Sequence, residues 1–124
     1  MKLTVKGTGL RLTSDLYQAI EEKIGGLDKF AGSLKARAFA HGQVEVGRTT
    51  KHHRTGAIFR AEVELHLPGR DLRAQALDET IFGALDIVKD ELKRELRRYG
   101  AKRAVGLKQG GRQLKKLIRG ADEE

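Results

Sequence analysis

From Asp78 to Arg103 the chain reads D-E-T-I-F-G-A-L-D-I-V-K-D-E-L-K-R-E-L-R-R-Y-G-A-K-R, and its apolar residues are spaced for one conformation. Ile81, Leu85, Val88, Leu92, Leu96 and Tyr99 follow one another at intervals of 4, 3, 4, 4 and 3 residues. That spacing is one face of an α-helix buried against a second layer. Asp78 is placed to cap its start, and Gly100 to end it. Lys89, Lys93 and Arg97 recur every four residues and form a ridge beside the apolar face. Arg94 and Arg98 carry the charge around the solvent side, and Lys102 and Arg103 carry it past Gly100. A helix anchored in a core with a basic stripe outside is suited to a phosphate backbone. Acids are interleaved with these bases. Asp86 with Lys89, Asp90 with Arg94 and Glu95 with Arg98 are spaced to pair along a salt-bridged, solvated helix.

Charge decides what such a face meets. The chain of 124 residues carries a formal net charge of +8 and a pI near 10.0, which points to a polyanion, either nucleic acid or an anionic membrane surface. Its length suits one domain with a modest core. The absence of cysteine excludes disulfides and thiolate zinc sites and fits a reducing cytosol. No N-terminal apolar run resembles a signal peptide and no stretch is long and apolar enough to span a bilayer, so a cytoplasmic location is expected.

In chain order, Met1 to Gly7 alternates as a short strand, with Leu3 and Val5 on one side. Thr13, Ser14 and Asp15 supply helix-cap chemistry for a helix from Ser14 toward Gly25 or Phe30. Leu16, Ile20, Ile24 and Leu27 form its buried stripe, Tyr17 flanks it, and Gly25-Gly26 predicts a break. Lys23 and Lys29 add to its basic surface. Lys35 to Gly47 reads as a less regular strand, and Arg48 to Gly56 (R-T-T-K-H-H-R-T-G) as an exposed, mobile loop. Ala57 to Leu67 is the clearest strand: Phe59, Ala61, Val63, Leu65 and Leu67 alternate with Arg60, Glu62, Glu64 and His66. Pro68-Gly69 turns the chain into a short strand over Leu72 to Ala76. The order β-α-β-β-β-α, with one apolar face per helix and one on the sheet, predicts an α+β two-layer sandwich. Residues 1–100 are expected to form this domain. Residues 101–124 hold seven Lys and Arg, four glycines and one brief apolar cluster at Leu114, Leu117 and Ile118, and read as a basic, flexible C-terminal tail.

No catalytic constellation stands out. His52 and His53 are adjacent and cannot share one face as metal ligands do. Gly7-Thr-Gly9 lacks the third glycine of a dinucleotide fingerprint, and there is no P-loop. The expectation is a binding protein without metal or other cofactor.

The first-helix run T-S-D-L-Y-Q-A-I-E-E-K-I and the run L-R-A-Q-A-L-D-E-T-I-F-G-A-L-D-I-V-K-D-E-L-K-R-E-L-R-R-Y, in this order of elements, resemble the ribosome hibernation-promoting factor and ribosome-associated inhibitor A family. Its members are also called sigma-54 modulation proteins. The resemblance spans about residues 1–103. It implies a fold similar to double-stranded RNA-binding domains, no enzyme activity and no small-molecule substrate. It implies binding to rRNA of the small ribosomal subunit between head and body, where tRNA and mRNA would lie, and hence translation inhibition by occlusion. Carried onto this chain, the rRNA-binding positions are Lys23, Lys89, Lys93, Arg94, Arg97 and Arg98, with Lys102 and Arg103 beyond. The family's D-x-Y-A-A-I-D reads here T-I-F-G-A-L-D, with Thr80, Phe82 and Gly83 as departures. Residues 101–124 are too short and too poor in apolar residues for the C-terminal dimerisation domain of the long family forms. The alternatives are a free double-stranded RNA-binding module, an RNA-cleaving enzyme built on His52 and His53, and an anionic-membrane binder acting through the tail. No membrane partner is expected.

Overall fold

The computed structural model describes residues 1–49 and 58–122, with side chains described as far as Lys102. Four strands, β1 (Lys2–Thr8), β2 (His41–Arg48), β3 (Phe59–Leu67) and β4 (Arg70–Asp78), form one sheet in the order β1-β2-β3-β4. β1 runs parallel to β2, and the other two pairings are antiparallel. A parallel neighbour requires a crossover, and the segment between β1 and β2 supplies it with α1 (Ser14–Lys23), a 3-10 turn (Gly25–Phe30) and α2 (Leu34–Phe39). α3 (Ile81–Asp122) follows β4. The architecture is the α+β one expected, with one additional short helix.

Alternation along the strands sets the two faces. Val44, Val46, Ala61, Val63, Leu65, Leu67, Leu72, Ala74 and Ala76 turn inward and are buried. Against them lie Leu16, Ile20 and Ile24, Leu27 of the 3-10 turn, and the α3 stripe Ile81, Leu85, Val88, Leu92, Leu96 and Tyr99, each 8% exposed or less. Burying such side chains contributes roughly 1.5–3 kcal/mol each relative to exposure. The Tyr99 hydroxyl donates to the Pro68 carbonyl at 2.8 Å, tying this part of α3 to the β3–β4 turn, where Gly69 takes φ 79°. Buried Asp28 receives the Met1 ammonium at 3.1 Å and Arg37 at 3.7 Å, which links β1, the 3-10 turn and α2.

The outward face of the sheet is a lattice of paired charge. Arg60 meets Glu45 at 2.8 Å and Glu62 at 3.9 Å, and Arg73 meets Glu62 at 2.7 Å. The hydrogen bond that Arg73 donates to Glu62, and then the charge of that carboxylate, hold the Arg73 guanidinium above its ordinary pKa.

Four expectations are corrected. Residues 34–39 are helical, not strand: Ser33 accepts from the Ala36 N–H at 3.0 Å, and the cap outweighs the apparent alternation of Lys35 and Arg37 with alanine. The cap of α3 is Thr80, whose hydroxyl oxygen accepts from the Gly83 N–H at 2.9 Å. Asp78 braces it by accepting from the Thr80 N–H and hydroxyl at 3.3 and 3.4 Å. A β-carbon on Gly83 would strike the Asp78 carboxylate, so glycine suits this first turn. The first helix stops at Lys23, and the 3-10 turn takes over at the glycine pair that predicted a break.

The fourth correction is the largest. α3 does not end at Gly100; its backbone stays helical to Asp122. Gly100 serves close approach instead. A β-carbon there would lie 2.9 Å from the Phe30 carbonyl oxygen and 3.2 Å from Gly32 Cα, and one on Gly32 would lie 2.7 Å from Gly100 Cα. Gly32 also takes φ 94°, which disfavours any side chain. The loop after the 3-10 turn therefore rests backbone on backbone against α3. Gly100→Ala gains about 1 kcal/mol of helix propensity, but overpacking a backbone contact costs about 1–3 kcal/mol. The expected net effect is a loss of roughly 1 kcal/mol in urea unfolding; a gain in stability would contradict the contact.

Candidate nucleic-acid interface

The α3 stripe faces the sheet, so the ridge beside it must face out along the seam between α3 and the α1–turn segment. A groove of about 200 Å³ opens there. It is lined by Lys23, Lys29, Lys89 and Lys93, by Phe30 and Leu27, and by Glu22 as the one carboxylate among the described residues.

The expected cations separate into two sets. Lys23 of α1 pairs with Asp86 of α3, and Lys89 lies 4.0 Å from the same carboxylate. Arg98 meets Glu95 at 3.8 Å. Lys93, Arg94, Arg97 and Lys102 have no ion-pair partner among the described residues, and neither does Lys29. Two of the three pairs spaced to form along the helix are therefore present; Asp90 with Arg94 is not. The paired set is partly neutralised, since Lys23 and Lys89 share one carboxylate, and the unpaired set supplies most of the outward field. Lys93 and Arg97 rest on Phe30, with Lys93 Nζ 5.2 Å and Arg97 Cζ 5.1 Å from the ring centroid. Lys29 Nζ lies 5.3 Å from the same centroid.

Sequence reasoning named seven of these cations, mentioned Lys29 in passing and missed Phe30 as a site residue. No local signal marks the ring, because Lys93 and Arg97 lie more than sixty residues away in sequence. The side chain of Arg103 and residues His52 and His53, with the loop at 50–57, lie outside the described residues. The ends of that loop are joined, since the Thr49 N–H donates to the Ile58 carbonyl at 2.8 Å.

Among the described residues, one group has the donors for a metal ion. Glu64, His66 and Asp71 bring one ligand atom each within 4.8 Å of one another on the outward face of the sheet. His66 Nδ1 lies at hydrogen-bond distance, 2.9 Å, from Asp71, and Nε2 lies 3.6 Å from Glu64. His41 stacks on His66 at 4.8 Å between ring centroids. No helix among the described residues is long and apolar enough to cross a membrane.

Asp86 holds back two cations at once, which yields a test of sign. Asp86→Asn frees Lys23 and Lys89, and should raise the salt concentration at which the protein leaves a heparin column. The stability lost should stay within about 1 kcal/mol, as for exposed ion pairs. Unchanged or earlier elution would mean that the groove does not face the polyanion.

Residues 3–104 match the family described as sigma 54 modulation protein / S30EA ribosomal protein. A ribosome hibernation promotion factor from Picosynechococcus sp. is 28% identical over 103 residues, covering 82% of this chain and 50% of that protein. One from Lactococcus lactis is 28% identical over 102 residues, covering 80% and 49%. The chain thus spans about half the length of these relatives. The solved N-terminal domain of Thermus thermophilus Protein Y superposes with a TM-score of 0.65 at 24% identity, covering 80% of this chain and 99% of that one. A ribosomal subunit interface protein from Coxiella burnetii gives 0.63 at 19% identity, covering 82% and 99%. At those identities the likeness is one of fold.

Proposed function

The chain belongs to the sigma 54 modulation protein / S30EA ribosomal protein family, and from that premise we propose that it is a ribosome hibernation factor that binds the small subunit through the α1–α3 basic face. The observation that carries the reading is the row Lys93, Arg94 and Arg97, without an ion-pair partner among the described residues, on a helix whose other side is locked into the core. Rigid, unneutralised cations meet rRNA phosphates without first breaking ion pairs, and shape rather than base edges selects the site. Lys23, Lys89 and Arg98 join by exchanging a carboxylate for a phosphate. The names of the relatives support the ribosome as the partner.

The protein inhibits translation by occupying the tRNA and mRNA path, not by catalysis, and works in the cytoplasm on ribosomes. Residues 1–100 form the docking domain. The basic segment 101–124, with Lys102 and Arg103 at its start, follows nearby rRNA and raises occupancy.

Each neutralised phosphate releases counterions, so the affinity for small subunits should fall with salt by a log–log slope of about −0.7 to −0.9 per contact. Reversing Lys93 and Arg97 to Glu should make the slope shallower by about 1.5 and weaken binding at least roughly tenfold, or 1.4 kcal/mol. Because both side chains rest on Phe30, up to about 2 kcal/mol of stability goes with them; unfolding curves measured beside the binding separate the two effects. Wild-type affinity in the double variant, by filter binding to purified small subunits, would overturn the assignment. In cell-free translation, inhibition should saturate at about one protein per ribosome and leave the rRNA intact; fragments that vanish on His52→Ala with His53→Ala would make the protein an RNA-cleaving enzyme instead.

A further inference from the structure

Two lysines of the groove, Lys29 and Lys93, converge with Arg97 on one aromatic ring, although the three repel one another and have no ion-pair partner among the described residues to hold them there. Lys29 belongs to the 3-10 turn, whereas Lys93 and Arg97 stand one turn apart on α3, and all three approach the Phe30 centroid within 5.1–5.3 Å. The ring is what gathers them. Its negative face attracts each cation by roughly 0.5–1 kcal/mol at an exposed site, enough to bias long side chains that otherwise sample many rotamers. The ring itself is placed by the backbone. Lys93, Arg97 and Gly100 lie on one line of the helix, and the Phe30 carbonyl would be 2.9 Å from a β-carbon on Gly100. The glycine contact thus seats Phe30 over the ridge at a fixed register.

We infer that Phe30 is a positioning residue for RNA recognition: it holds Lys29, Lys93 and Arg97 as a preformed cradle for one backbone phosphate. A phosphodiester offers two unesterified oxygens and one negative charge, which an Arg fork and two ammonium groups bind from different sides. The ordering of these side chains, which binding would otherwise have to impose at about 0.5–1.5 kcal/mol each, is already made in the free protein. The inference rests on the ribosome reading proposed above and adds to it a residue that carries no charge.

Phe30→Leu and Phe30→Trp decide the matter. Leucine keeps apolar packing but lacks the ring face, and tryptophan restores it. With purified small subunits, the Leu variant should bind about fivefold more weakly than wild type, and the Trp variant should bind within about twofold of wild type. In the free proteins, the Lys93 and Lys29 Hε and Arg97 Hδ protons should show upfield ring-current shifts in wild type and the Trp variant, and none in the Leu variant. Leu binding equal to wild type, Trp binding as weak as Leu, or absent ring-current shifts in wild type would each overturn the cradle. Wild type that fails to bind small subunits at all would overturn the ribosome reading itself, a result distinct from these.

Discussion

The apolar stripe of α3 pressed on the inward face of the sheet is the contact on which the rest depends. Leu85, Val88, Leu92 and Leu96 are fully covered, and a helix held along about three turns cannot rotate about its axis without exposing them. The face carrying Lys89, Lys93 and Arg97 is oriented by that burial, not by any interaction of its own. The core thereby supplies what a phosphate reader needs most, charge held in place before the partner arrives. On the sheet's other face Arg60 and Arg73 are already spent on Glu45 and Glu62, and Lys6 lines a hollow shared with Glu45, Glu62 and Glu64.

A second constraint sharpens the first. The stripe fixes the helix but not what lies beside its basic edge. Gly32 and Gly100 do that by letting two backbones touch, which brings the 3-10 turn, Lys29 and Phe30 onto the line of Lys93 and Arg97. Propensity alone would disfavour a glycine inside a helix by about 1 kcal/mol; here the close contact offsets that penalty. The same trade appears at Gly83, where a β-carbon would disturb the Asp78 brace beneath the Thr80 cap.

What could be read in advance follows from the range of each interaction. The α3 stripe and the alternation of β3 are periodic over many residues, and each was legible because one face of one element decides it. L-K-A-R-A-F at 34–39 was not, since six residues fit either period and the Ser33 cap tips the balance. Gly100 was misread because a glycine that ends a helix and one that admits a neighbour look identical without the neighbour. The cationic positions at 89, 93, 94, 97 and 98 were legible as residues. Which of them are held back was legible in part, since Asp86–Lys89 and Glu95–Arg98 follow from helical spacing; the Lys23–Asp86 pair, which crosses from α1 to α3, and the Phe30 contacts, which cross from the 3-10 turn, were not.

The central claim is directional: the α1–α3 face, and not the open face of the sheet, meets small-subunit rRNA. The chain has no cysteine, so a single introduced thiol carries a hydroxyl-radical probe to one chosen place. Asp90 is exposed on α3 and Gln75 is exposed on the outward side of β4. With the probe at Asp90→Cys in the complex with small subunits, the account predicts strong rRNA cuts confined to the tRNA and mRNA path, with weak or no cuts from Gln75→Cys. Strong cutting from Gln75 with none from Asp90 would contradict it.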